Sequence, residues 1–147
     1  MYQKIITIAT LIIGRSTAFK YGFNLSPMYR RSTAKILSIS KDMLCVAIKL
    51  PLSYKNKNYV NSIFGGSMFS ATDPIAMTQL MTILGNSYVV WDKSSEIFFK
   101  RPAKENLYAT FTFTKGEIQA IIDSVATKKE TSITKVISLT SKDKTIT

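Results

Sequence analysis

The stretch from Met68 to Leu84 carries one formal charge, Asp73. Its large apolar side chains (Met68, Phe69, Ile75, Met77, Leu80, Met81, Ile83, Leu84) fall on every side of a helical wheel. A helix that is apolar all round has to be covered all round. It is too short, and too often interrupted by Ser, Thr, Gln and Asp, to read as a membrane span. The cover must therefore come from the rest of the chain.

A polar turn and a glycine pair, Gly65-Gly66, lead into this segment. Two residues without side chains let the backbone turn tightly and approach another group closely. A helix starting there would present free N–H groups and the positive end of its dipole, which can hold a phosphate or the oxyanion of an acyl-transfer intermediate. Asp73 lies seven residues after Gly66, about two turns on, and so returns to the same face. Pro74 adds a second expectation, a kink or restart at Asp73, because proline removes a helical hydrogen bond and biases the residue before it away from the helix. On that reading Asp73 is the N-cap and Pro74 the first residue of a helix running to Leu84. A catalytic carboxylate and a helix cap both remain open, and the two roles are compatible.

Period-two runs flank the central helix. Leu44, Val46, Ile48 and Leu50 alternate with Met43, Cys45, Ala47 and Lys49, and KILSIS before them reads as a hairpin partner joined through Lys41-Asp42. Pro51 ends the strand, and a lysine-rich loop delivers the chain to the glycines. Further strands are expected at Tyr88 to Trp91, Glu96 to Lys100, Leu107 to Thr114 and Ile133 to Thr140. Thr114 and Glu117 make a capping box ahead of Ile118, Ile121, Ile122 and Val125, which predicts an amphipathic helix. The apolar run Ile5 to Ile13 predicts a helix packed on the domain or on a second subunit, and Ser26-Pro27 marks a turn. The plan is α+β: one domain over 1–147, with an N-terminal helical segment (1–26) and an antiparallel sheet wrapping a long central helix (27–147).

Charge and composition narrow the chemistry. Twenty Lys and Arg against nine Asp and Glu give a net charge of +11, which favours an anionic partner. The basic residues come in scattered pairs without a long run, which argues against nucleic acid. With no histidine in the chain, Ser–His–Asp and Cys–His catalysis and His-based metal sites are excluded. The single Cys45 sits in an apolar strand and reads as core. The lack of a disulfide framework fits a cytoplasmic location. The run Ile5 to Ile13 is too short to span a bilayer, and no small-residue cleavage site follows it.

The residues FGGSMFSATD, Phe64 to Asp73, resemble the glycine-pair and downstream-aspartate motif of hotdog-fold acyl-CoA thioesterases of the phenylacetate-pathway type. From Pro27 to about Thr140, through KLPLSYKNKNYVNSIFGGSMFSATDP and YVVWDKSSEIFFKRP, the pattern is closer to an uncharacterised family of thioesterase-like hotdog proteins. The resemblance implies a hotdog fold and a metal-free, cofactor-free thioesterase, with Asp73 as general base or nucleophile and the Gly66 amide in the oxyanion hole. Asn58 matches an asparagine that positions substrate or water across a subunit interface. Gly65, Phe64 and Ser62 would line the substrate, and Lys57 and Arg101 would meet coenzyme A phosphates, as would Arg30, Arg31, Lys55, Lys100 and Lys104. Homodimers or dimers of dimers are implied. Two departures stand out: Phe64 occupies the place of a histidine in the phenylacetate-type enzymes, and Pro74 follows the aspartate. The first favours an alternative, an inactive hotdog that binds acyl-CoA or fatty acyl chains.

Overall fold

The structure is a computed structural model that describes residues 14–144; the expected helix at Ile5 to Ile13 lies outside them. In chain order, α1 (Arg15–Leu25) and the short α2 (Pro27–Arg31) lead into the hairpin β1 (Lys35–Ile39) and β2 (Cys45–Leu50). The central helix α3 (Gly65–Leu84), β3 (Leu107–Thr112) and α4 (Lys115–Lys128) follow. The sheet is antiparallel in the order β1-β2-β3.

Alternation in β2 and β3 places Val46, Ile48 and Leu50 opposite Phe111, Ala109 and Leu107, all buried. These side chains form one floor. Met68, Ala71 and Ile75 of α3 join the same core cluster, and Tyr29 of α2, itself fully buried, donates its hydroxyl to the Ala71 carbonyl at 3.1 Å. Gln79 is also fully buried. Its Nε2 donates to the Met43 carbonyl at 2.8 Å, tying α3 to the hairpin turn, while its Oε1 has no partner among the described residues.

The hairpin closes as the sequence implies. Asp42 Oδ1 accepts from Ser40 Oγ and from the Leu44 amide, and Met43 takes a left-handed φ of 64°. β1 is an edge strand with an irregularity between Ile36 and Ser38. Asn24 of α1 closes that edge by bonding both the N–H and the C=O of Ile36, at 2.8 and 3.0 Å, and Lys20 takes the Leu37 carbonyl. An edge strand so covered cannot pair with another chain there.

Three expectations are corrected. First, α3 runs unbroken through Pro74, so Asp73 is a mid-helix residue and not an N-cap; Phe64 is the cap residue. Packing on the sheet outweighs the local proline preference. Hydroxyls along the helix fold back on its own carbonyls, Ser70 on Gly66 at 2.7 Å, Thr72 on Met68 at 3.1 Å and Thr82 on Thr78 at 2.8 Å. Second, Tyr88 to Trp91, Glu96 to Lys100 and Ile133 to Thr140 do not form ladder strands. The last contributes one bridge, Tyr108 to Thr140. Alternating apolar residues favour extended chain, but a strand also needs a backbone partner, and of these three segments only the last finds one among the described residues, where Thr140 meets the open edge of β3 at Tyr108. Third, Pro27 opens the helix α2 where the sequence suggests a turn into the first strand.

The capping box at α4 forms as expected. The Thr114 amide donates to Glu117 Oε2 at 2.7 Å and the Glu117 amide to Thr114 Oγ1 at 3.1 Å, while Lys135 Nζ pairs with Glu117 Oε1 at 2.8 Å. Thr114→Ala is expected to cost about 1 kcal/mol of stability by chemical denaturation. The hydrogen bond from Lys135, then that from the Thr114 amide, holds the Glu117 carboxyl below the usual range. A depressed folded-state value contributes stability above the ordinary Glu pKa of about 4.3, and that contribution is lost as pH falls through the folded value. Glu117→Gln is expected to flatten that part of the acid side of the stability profile.

Candidate functional site

The loop ahead of α3 is fixed by its asparagines. Buried Asn56 donates Nδ2 to Thr33 Oγ1 at 2.7 Å and to the Pro51 carbonyl at 2.8 Å, and its own carbonyl accepts the Phe64 amide at 2.7 Å. Asn58 Oδ1 accepts the amides of Val60 and Ser62 at 3.1 and 3.0 Å, and its Nδ2 donates to Ser62 Oγ at 2.9 Å. Asn58 and Ser62 thus spend their side chains on each other and on the turn. Ile63 bridges to Lys57 on one side and donates to the Ala103 carbonyl at 2.8 Å on the other. This brings the backbones at Lys57 and Arg101 to the N-terminal end of α3, with both side chains exposed.

At that end the Phe64 carbonyl accepts the Ser67 and Met68 amides at 3.0 and 3.2 Å, and the amides of Gly65 and Gly66 meet no acceptor among the described residues. No side chain caps the helix. Both glycines are closely approached by a ring: a Cβ on Gly65 would lie 2.8 Å from the tip of Phe99, and one on Gly66 would meet the ring of Phe64, so a side chain at either position would push an exposed phenyl ring aside. Two amide donors with dipole support therefore lie beside phenyl rings, Gly65 half-buried and Gly66 exposed in the single chain.

Gly66, Asp73 and Leu80 are spaced at seven-residue steps in one continuous helix and so follow one line along it. Asp73 on this line is half-buried. The segment after α3 returns across that face: Val90 packs against the cluster of Leu80, Phe113 and Ile121, and Phe99 reaches Gly65. Asp92 lies between these two anchors. Partial burial, and then the negative charge of Asp73, raise its carboxyl above the usual range. A second carboxylate within electrostatic reach of Asp73 is something sequence reading missed; its only signal was a charge closing the apolar run Tyr88 to Trp91.

Other chemistry is sparse. Among the described residues no group of His, Cys, Asp and Glu could hold a metal ion. A groove of about 430 Å³ lies along α4, lined by Phe113, Glu117, Ile121 and Lys135 among others, and takes no residue from α3. Cys45 is half-buried on β2 as a free thiol. No described helix is long and apolar enough to cross a membrane.

Comparison with known proteins gives a family and two likenesses of fold. The profile of a domain of unknown function, DUF4442, matches residues 15–147. No curated protein matches the chain by sequence. A Pseudomonas aeruginosa protein of unknown function, described as a probable thioesterase, superposes with a TM-score of 0.72 at 17% identity, covering 86% of this chain and 83% of its own. A Chlorobaculum tepidum TLS protein of unknown function superposes with a TM-score of 0.61 at 16% identity, covering 76% of this chain and 70% of that one. Both likenesses are likenesses of fold.

Proposed function

We propose, from the premise that the chain belongs to the DUF4442 family, that it is one hotdog-fold domain hydrolysing acyl-CoA thioesters, related in its motif to the phenylacetate-pathway type. The observation that carries this reading is the alignment of the Gly66 amide, without an acceptor among the described residues, and half-buried Asp73 along one face of α3. The description of the Pseudomonas relative as a probable thioesterase supports it.

In the proposed reaction Asp73 takes a proton from water as the water oxygen adds to the thioester carbonyl carbon. The resulting oxyanion is held at the Gly66 N–H. The C–S bond then breaks and the thiolate leaves with the proton that Asp73 holds. Gly66 and Asp73 are about 10 Å apart along the helix axis. That span suits a carboxylate leaning toward the helix N-terminus, one water and a carbonyl group. Asn58 and Ser62 act by holding the loop that aims Gly65 and Gly66, and Lys57 and Arg101 lie where coenzyme phosphates would approach.

Assembly into a homo-oligomer is part of the proposal. Val89, Trp91, Phe98 and Phe99, all on the segment after α3, are between half and nine-tenths exposed in the single chain, and a second copy would take them out of water. A second reading, an acyl-CoA-binding module without turnover, is favoured by the Phe64 ring lying against Gly66. Thiol release from short-, medium- and long-chain acyl-CoAs, read beside calorimetric binding, tests both. Saturable thiol release is expected. Binding without release would support the module, and neither binding nor release would overturn both.

A further inference from the structure

The first quarter of the chain has a charge pattern that the catalytic reading does not use. Residues 1–41 contain seven Lys and Arg (Lys4, Arg15, Lys20, Arg30, Arg31, Lys35, Lys41) and no Asp or Glu, the first carboxylate being Asp42. Over the whole chain basic residues outnumber acidic ones by roughly two to one, so an acid-free stretch of this length is a local concentration of positive charge. Among the described residues, Arg15, Arg30, Arg31 and Lys35 are exposed and engage in no ion pair.

Apolar side chains are exposed along the same stretch of chain. Phe19 and Phe23 turn one face of α1 inward, stacking on each other and reaching Tyr29. On the other side Tyr21 and Leu25, four residues apart and hence neighbours on the helix, are 55% and 68% exposed. Met28 follows on α2 at 59%. The edge of β1 beneath is already closed by Asn24 and Lys20, so this face is not held open for strand pairing. Along the sequence, the apolar run Ile5 to Ile13 leads directly into Gly14 and α1.

We propose that the outer face of α1 and α2 docks on the surface of an anionic lipid bilayer, with Tyr21, Leu25 and Met28 entering the headgroup region and the surrounding Arg and Lys meeting lipid phosphates. Exposed apolar side chains flanked by cations are what such a surface selects. A nucleic acid would use the cations but would leave Leu25 and Met28 in water. Charge complementarity decides for the lipid over a second copy of this chain, because two copies meeting through this face would bring like charges together. The inference stands on residues distinct from Gly66 and Asp73, so it does not depend on the thioesterase reading.

The test is sedimentation of the full chain with vesicles of phosphatidylglycerol mixed with phosphatidylcholine, against phosphatidylcholine alone. Binding to the mixed vesicles alone is expected, with release as salt rises from about 0.1 M to 1 M and screening shortens. Leu25→Glu and Met28→Glu are each expected to weaken binding about tenfold, with an unchanged circular-dichroism spectrum. Val136→Glu is the control: it makes the same charge change at a still more exposed site elsewhere and is expected to bind like wild type. The proposal is overturned by absence of binding to the mixed vesicles, by equal binding to the neutral ones, or by an equal loss in Val136→Glu. It is also overturned if duplex DNA binds as tightly with the same dependence on Leu25, or if Leu25→Glu dissociates an oligomer.

Discussion

Asp73→Asn is expected to lower thiol release from acyl-CoA at least about a hundredfold, the scale of losing a general base, while leaving the thermal midpoint where it is. The substitution is nearly isosteric, and the side chain is half-buried with no hydrogen-bond partner among the described residues, so little of the fold depends on its charge. Electrostatics supply an independent readout. Asp92 titrates above the usual carboxylate range through partial burial and then through the charge of Asp73. Removing that charge should bring the Asp92 titration down, followed by carbon-detected NMR, whether or not turnover is measurable. An unchanged Asp92 titration would show that the two carboxylates do not face each other across the segment that returns over α3.

The largest stability effect is expected at Ile75. This side chain is fully buried where α3 meets the floor of Val46, Ile48 and Phe111. Ile75→Ala removes three carbons from a fully buried site, and the cost is about 2–5 kcal/mol. For a chain of this size that lowers the thermal midpoint by about 10 °C. Met81→Ala on the same helix is the contrast, because Met81 is 44% exposed and its loss should move the midpoint little. Equal losses at the two positions would mean that α3 does not lie on the sheet with the face assigned here.

Elements whose stability is local were legible in the residues. β2 and β3 announced themselves because one face of each is buried against α3, and burial of alternate residues is what period-two patterning records. The capping box at Thr114 and Glu117 needs only four consecutive residues and forms as its spacing implies. The Gly65-Gly66 pair signalled a close approach, and the approach is real, although the sequence could not show that Phe99 and Phe64 make it. Pro74 misled for the opposite reason. Its local preference for a helix start is overridden by contacts distant in sequence, Tyr29 to Ala71 and Gln79 to Met43 among them. The segments around Trp91 and Ile133 show a third case, since extended propensity was readable but pairing depends on an edge that only the assembled sheet can offer. Asp92 entered the site through the path of a connecting segment, and single-sequence patterns carry no signal for such a path.

The central claim is that acyl thioesters meet this protein at the N-terminal end of α3. Amide 15N–1H shifts on titration with a non-hydrolysable acyl-CoA thioether test it without requiring turnover. Gly65 and Gly66 are predicted to shift most, with smaller responses at Asp73 and at the loop from Lys57 to Ile63. Perturbations confined to the α4 groove around Phe113, Glu117 and Ile121, with Gly65 and Gly66 unmoved, would contradict the account.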